Sequence, residues 1–212
     1  MFTLTDLPKS IFEELQNRYK KGVSDAVSTF DMNEADEDCL TGALGQALAM
    51  PREQFFSYKG GSASVKVSHT KLRGRGKGAP EKLYGSDGIF QIEVLDHQGR
   101  LLMSKGLPFQ SKKNWTHKLT ELSKQAAKME LHTPGGIIID FRATGYTACM
   151  ADSILASGGS RNNFSMQNLG ELLATDFLNC KIGTKGLFFD TTKKSYDNRE
   201  KDFHIITTEI EL

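Results

Sequence analysis

The run Ile137-Ile138-Ile139, inside "GGIIIDFRA", restricts the fold of this chain more than any other stretch. Successive side chains of a strand point to opposite faces. Three adjacent isoleucines therefore need apolar cover on both sides, as in a buried central strand of an α/β sheet. The neighbouring segments supply the other parts. "ASVKVSHTKL", "DGIFQIEVL" and "LLMSKGLPFQSK" alternate as strands, the last two joined by the turn "DHQG". A helix is predicted from about His117 to Leu131, with Leu119, Leu122, Ala126 and Met129 inward. "YTACMADSIL" is expected to pair beside the central run, "SMQNLGELLATDFLNC" to form another helix, and "FHIITTEIEL" to form a final strand.

The N-terminal part has helical spacing instead. Leu7, Ile11, Phe12, Leu15, Tyr19, Val23 and Val27 predict a helix over Leu7–Phe30, with Pro8 near its start. After the break "DMNEAD", Asn33 is the expected N-cap of a second helix running from about Glu34 to Ala49. With no internal repeat or low-complexity linker, the division expected is a helical N-terminal extension, 1–32, followed by one α/β domain, 33–212. The 212 residues suffice for one fairly large core.

Composition excludes several classes. No apolar run approaches the roughly 20 residues of a membrane span, and "MFTLTDLPKS" lacks the charged-then-apolar pattern of a secretory signal. Cys39, Cys149 and Cys180 are odd in number and far apart, which argues against a disulfide framework and for three small buried hydrophobes. A cytoplasmic location is expected on that ground. A net charge of +1 confines any nucleic-acid surface to a local patch.

The chemistry gathers around "LPFQSKKNW". Alternation puts Leu107, Phe109 and Ser111 on one face of the strand, and Gln110 and Lys112 on the other. Asp87 stands where the preceding strand begins, so antiparallel pairing brings it toward Gln110. A carboxylate and an amide oxygen are hard ligands suited to Mg²⁺. A neighbouring lysine could orient water and offset charge on a phosphorane, the parts that metal-assisted phosphodiester hydrolysis needs. Glu37 lies about 20° from Leu44 around the second helix, on its apolar stripe. An acid there must be paired, protonated or metal-bound. Gln125 flanks the inward stripe of the helix after Trp115 and is placed to line the same cleft.

Together, "YGSDGIFQIEVLDHQGRLLMSKGLPFQSKK", "EDCLTGAL" and "KQAAKM" resemble the core of the PD-(D/E)XK nuclease superfamily. Gln110-Ser111-Lys112 is similar to the Q-x-K variant of Mrr-type restriction and phage-defence nucleases. The resemblance spans about 34–150. It implies a restriction-endonuclease-like αβββαβ core, with a mixed sheet of four to five strands between helices. It also implies a Mg²⁺- or Mn²⁺-dependent DNA endonuclease, acting in a bacterial anti-phage setting. Asp87, Gln110 and Glu37 would hold the metal, Lys112 would activate water, and Gln125 would position the lysine or the phosphate. "SD" stands where the family's proline-aspartate would be. The neutral Gln110 keeps open a catalytically silent nucleic-acid-binding or assembly module on the same fold, and RNA is an open alternative substrate.

"KLRGRGKGAPEK" concentrates Lys71, Arg73, Arg75 and Lys77 among glycines, and Lys113 follows the Q-x-K triplet. These are the expected backbone contacts to nucleic acid. The loop is not a Walker A sequence, since no Ser or Thr follows Gly76-Lys77. The five histidines, His69, His97, His117, His132 and His204, show no metal-ligand spacing. A chain this short leaves little room for sensing, so control by a partner ATPase or sensor protein, or by homo-oligomer formation, is expected.

Overall fold

The structure, a computed structural model, describes residues 2–72, 85–116, 119–157, 165–189 and 203–212. Helix α1 (Lys9–Ser28) leads through a single turn, α2 (Phe30–Asn33), to α3 (Glu37–Leu48). Strands β1 (Gln54–Tyr58), β2 (Gly61–Leu72), β3 (Gly88–Leu95) and β4 (Leu101–Lys113) follow. Helix α4 (Leu119–His132) then crosses to β5 (Ile137–Phe141), and β6 (Thr147–Met150) runs directly into α5 (Ala151–Ala156). Two short strands, β7 (Gln167–Asn168) and β8 (Thr184–Lys185), flank a helical segment, and β9 (Phe203–Glu211) closes the chain.

All the described strands form one mixed sheet in the order β1-β2-β9-β3-β4-β5-β6-β7, with β8 attached to β4. Nine strands replace the four to five expected. The excess has identifiable sources: β1 is a hairpin partner of β2, β6 and β7 extend the far edge, and β9 inserts between β2 and β3. That insertion follows from the composition of β9. Ile205 packs with Ile89 and Phe189 on one face of the sheet, while Ile206 and Ile210 join the main core on the other. A strand apolar on both faces belongs inside a sheet.

The same logic explains the isoleucine run. Ile137 and Ile139 enter the main core beneath α1 and α3, whereas Ile138 packs under α4 and α5 with Leu122, Ala126, Met129 and Ile154. Helix α1 contributes Ile11, Leu15, Tyr19, Val23 and Ala26 to that main core, and the Tyr19 hydroxyl lies 2.8 Å from Thr208 Oγ1 on β9. Burying five such side chains is worth roughly 1.5–3 kcal/mol each for the larger ones.

Three local expectations are corrected. Asn33 does not cap α3: it ends α2, where its side chain donates to the Thr29 carbonyl at 2.8 Å. The extra turn moves the exposed N–H groups three residues on, so Asp36 is the cap, accepting from the Cys39 N–H at 2.7 Å. Cys39 is exposed, because Leu40 and Leu44 occupy the inward stripe of α3; Cys149 is buried and Cys180 half-buried. The helix predicted in "SMQNLGELLATDFLNC" starts with one α turn, Leu169–Glu171, and continues as a π-helix over Leu172–Phe177. Among the described residues, no helix is long and apolar enough to cross a membrane.

Candidate active site

One level of the sheet carries the site. Lys71, His204, Gly88, Phe109 and Ile137 pair in register across β2, β9, β3, β4 and β5. Asp87 stands just before this level. Its N–H donates to the Phe109 carbonyl at 2.8 Å, and its own carbonyl accepts from the His204 N–H at 2.9 Å. Two glycines permit that close approach. Gly85 has φ +72°, and a Cβ there would lie 2.3 Å from the Gln125 carbonyl oxygen. At Gly88 a Cβ would lie 2.4 Å from both the His204 carbonyl oxygen and the Phe109 ring. In "YGSDG" the glycines thus let β3 start against α4 and between its neighbours.

Asp87 and Gln110 are in contact. Asp87 Oδ2 accepts from Gln110 Nε2 at 2.7 Å, from the Ser111 N–H at 2.8 Å and from the Ser111 hydroxyl at 2.7 Å. Gln110 Nε2 also donates to the Ser111 carbonyl at 3.3 Å. With the amide nitrogen so occupied, the orientation of the group is set and Oε1 is turned elsewhere. That oxygen is buried and has no hydrogen-bond partner among the described residues. Such an orphan acceptor is costly in an interior and calls for a water or a cation. The carboxylate and the amide each present a hard oxygen, the ligand class Mg²⁺ prefers.

Lys112 and Glu37 form the second half. Lys112 is only 6% exposed, and its ammonium pairs with Glu37 Oε2 at 3.2 Å. Glu37 Oε1 accepts from the Lys113 N–H at 3.2 Å. Both Glu37 oxygens therefore face β4. Thr41, one turn along α3, touches the Ser111 hydroxyl at 3.1 Å and so links the two halves. A buried ammonium needs such a partner, because removing one member of the pair strands the other charge.

No family model, curated protein or solved structure matches the chain.

The remaining expected residues divide. Gln125 is buried on α4, with its backbone carbonyl against Gly85. Lys71 forms an ion pair with Asp38, and the Lys113 ammonium donates to the Glu34 carbonyl at 2.6 Å. These two lysines are thus engaged within the chain. Arg73, Arg75 and Lys77 lie outside the described residues, as does His117.

Several polar groups at this level had no signal in the sequence. Ser111, the middle residue of Q-x-K, supplies two of the donors to Asp87. Asp140 is directly opposite Lys112 on β5, fully buried, held by Arg142 Nε at 2.6 Å and the Trp115 N–H at 3.0 Å. On the other flank, His204 Nε2 is 2.8 Å from Asp38 Oδ1, and His204 Nδ1 is 3.0 Å from His69 Nε2. The two imidazoles stack with centroids 5.2 Å apart, and Gln46 Nε2 lies 3.3 Å from His69 Nδ1. Burial opposes the charge on Asp38, but the bonds from Lys71 and His204 outweigh it and hold its carboxyl below the usual range. Burial, with the neighbouring His204 and Lys71, pushes His69 down to about 4. Residues 69 and 204 are 135 positions apart, so only the insertion of β9 beside β2 brings them together.

Proposed function

We propose that the chain is a metal-dependent nuclease of the PD-(D/E)XK type, acting on DNA. The observation that carries this reading is the convergence of Asp87 with Gln110 and of Lys112 with Glu37 on adjoining strand ends. The topology is compatible. From α3 the chain passes through β2, β3, β4 and α4 to β5, with β4 antiparallel to β3 and parallel to β5. The departure is β9, which stands between β2 and β3.

Asp87 and the orphan Oε1 of Gln110 would hold Mg²⁺; Glu37, expected as the third ligand, is turned to Lys112 and the Lys113 N–H instead. When bound, Mg²⁺ supplies Lewis-acid stabilisation of the charge that develops on phosphate oxygens. Lys112 orients the attacking water and offsets negative charge at the phosphorus. Glu37 aims the Lys112 ammonium, and the Lys113 N–H fixes Glu37 in turn. Gln125, expected to position the lysine or the phosphate, packs its backbone carbonyl against Gly85, two residues before Asp87. With Lys71 and Lys113 engaged within the chain, phosphate-backbone affinity is left to the basic stretch Arg73, Arg75, Lys77. An anti-phage role, with control by an ATPase or sensor or by self-association, belongs to the same proposal and rests on the resemblance alone.

Two observations favour a second reading, a silent nucleic-acid-binding module: Gln110 is neutral, and the Lys112 ammonium is already engaged by Glu37. One experiment separates the two. The full chain is incubated with single- and double-stranded DNA and with RNA, in Mg²⁺, in Mn²⁺ and in EDTA. Cleavage that needs the metal and falls about a hundredfold or more in both Asp87→Ala and Lys112→Ala, with circular dichroism unchanged, supports the nuclease. Binding without cleavage, unaltered by either substitution, supports the silent module and sinks the enzyme.

A further inference from the structure

We propose that His204 is a positioning residue of this site, one that locks the start of α3 to the start of β3. The inference rests on the nuclease reading for its catalytic consequence, but the lock itself does not. His204 touches both halves of the site by different groups. Its backbone N–H donates to the Asp87 carbonyl at 2.9 Å. Its imidazole Nε2 contacts Asp38 Oδ1 at 2.8 Å. Asp38 directly follows Glu37 in the first turn of α3, and Glu37 is the partner of Lys112.

The first turn of α3 is therefore tied on two sides. Glu37 reaches β4 through Lys112 and the Lys113 N–H, while Asp38 reaches β9 and β2 through His204 and Lys71. Adjacent residues on a helix point about 100° apart, so the two ties resist both rotation and sliding of that turn. Behind His204, His69 accepts from Gln46 at Nδ1 in the tautomer that donates from Nε2 to His204, and its ring fills the space over Gly45, where a Cβ would lie 2.4 Å away. His204 is 1% exposed, so its imidazole has one place to sit. Partners of this indirect kind commonly change activity about 10–100-fold when removed.

The test compares wild type, His204→Ala and His204→Gln as full-length proteins. The Gln amide carries an N–H donor near the position of imidazole Nε2. Hydrogen exchange at the Lys113 amide reports the Glu37 contact directly, independent of activity. His204→Ala should speed that exchange about tenfold or more and lower kcat about 10–100-fold with KM within about twofold. His204→Gln should recover most of both. If His204→Ala does not fold, Asp38→Ala, on the partly exposed side of the same bond, should give the same faster exchange. A folded His204→Ala or Asp38→Ala whose Lys113 amide exchanges like wild type overturns the lock. An altered exchange with kcat unchanged overturns the positioning role. If wild type itself cleaves nothing, the nuclease reading fails alone, and exchange at Lys113 still decides whether the lock exists.

Discussion

The β3–β4 hairpin has an aspartate at each end, and the two differ in where their partners come from. At the turn, Asp96 accepts from the Gln98 and Arg100 N–H groups, each at 2.9 Å, and from Arg100 Nε at 2.7 Å. All three donors lie within four residues. The Arg100 backbone bond, foremost, holds the Asp96 carboxyl down at about 2, against a smaller opposing effect of burial. At the open end, Asp87 also accepts three bonds, but from Gln110 and Ser111, over 20 residues away. Both acids are well supplied with donors among the described residues. The partner separates them: Arg100 is exposed, so its remaining donors face solvent, whereas Gln110 leaves a buried oxygen without a partner among the described residues. A turn aspartate completes its own loop; Asp87 depends on partners that only the pairing of β3 with β4 brings to it.

Three experiments press on that contrast. The largest effect is expected from Gln110→Glu. It removes the amide donor to Asp87 and sets two carboxylates side by side, costing about 2 kcal/mol in EDTA. Added Mg²⁺ should then raise the urea midpoint more than it does for wild type. A variant as stable as wild type in EDTA, with no extra response to Mg²⁺, would remove the metal from this end of the hairpin.

Asp96→Asn comes next. It should lower the urea midpoint at neutral pH while leaving DNA cleavage at the wild-type rate. The sign follows from linkage: a carboxyl with a depressed folded-state pKa contributes stability above its ordinary value, and that stability is lost as pH falls toward about 2. Asn should therefore flatten the acid limb of the stability curve. Loss of cleavage in Asp96→Asn would erase the distinction between the two ends.

The smallest effect concerns a third group held by distant partners, His69. Its folded-state pKa of about 4 lies below the ordinary 6.5. Between those values the unfolded chain binds the extra proton, so stability is full above about 6.5 and declines as pH falls toward 4. Urea titrations at pH 7 and pH 5 should show that decline in wild type and a shallower one in His69→Gln. Equal slopes would mean that the imidazole stack carries no pH-dependent stability.

Much of this was legible along the chain wherever a local rule acts. The turn at "DHQG", the two strands beside it, the helix before the isoleucine run and the burial of that run all follow from alternation, helical spacing and turn chemistry. The contact between Asp87 and Gln110 was also legible, because antiparallel pairing through a short turn converts sequence offset into distance. Asn33 misled because α2 adds a turn that residue preferences alone do not specify. The sheet was underestimated because β9 shows only that it is a strand, not which neighbours it takes.

The sequence by itself determined the α/β class, the hairpin and the candidate pair at its open end, since each depends on residues close together or joined by one turn. Only the tertiary structure decided that β9 enters between β2 and β3, that His69, His204 and Asp38 meet, and that Glu37 points at Lys112. Strand order and helix docking depend on which apolar faces cover one another. That choice is made by the whole core, not by any single segment.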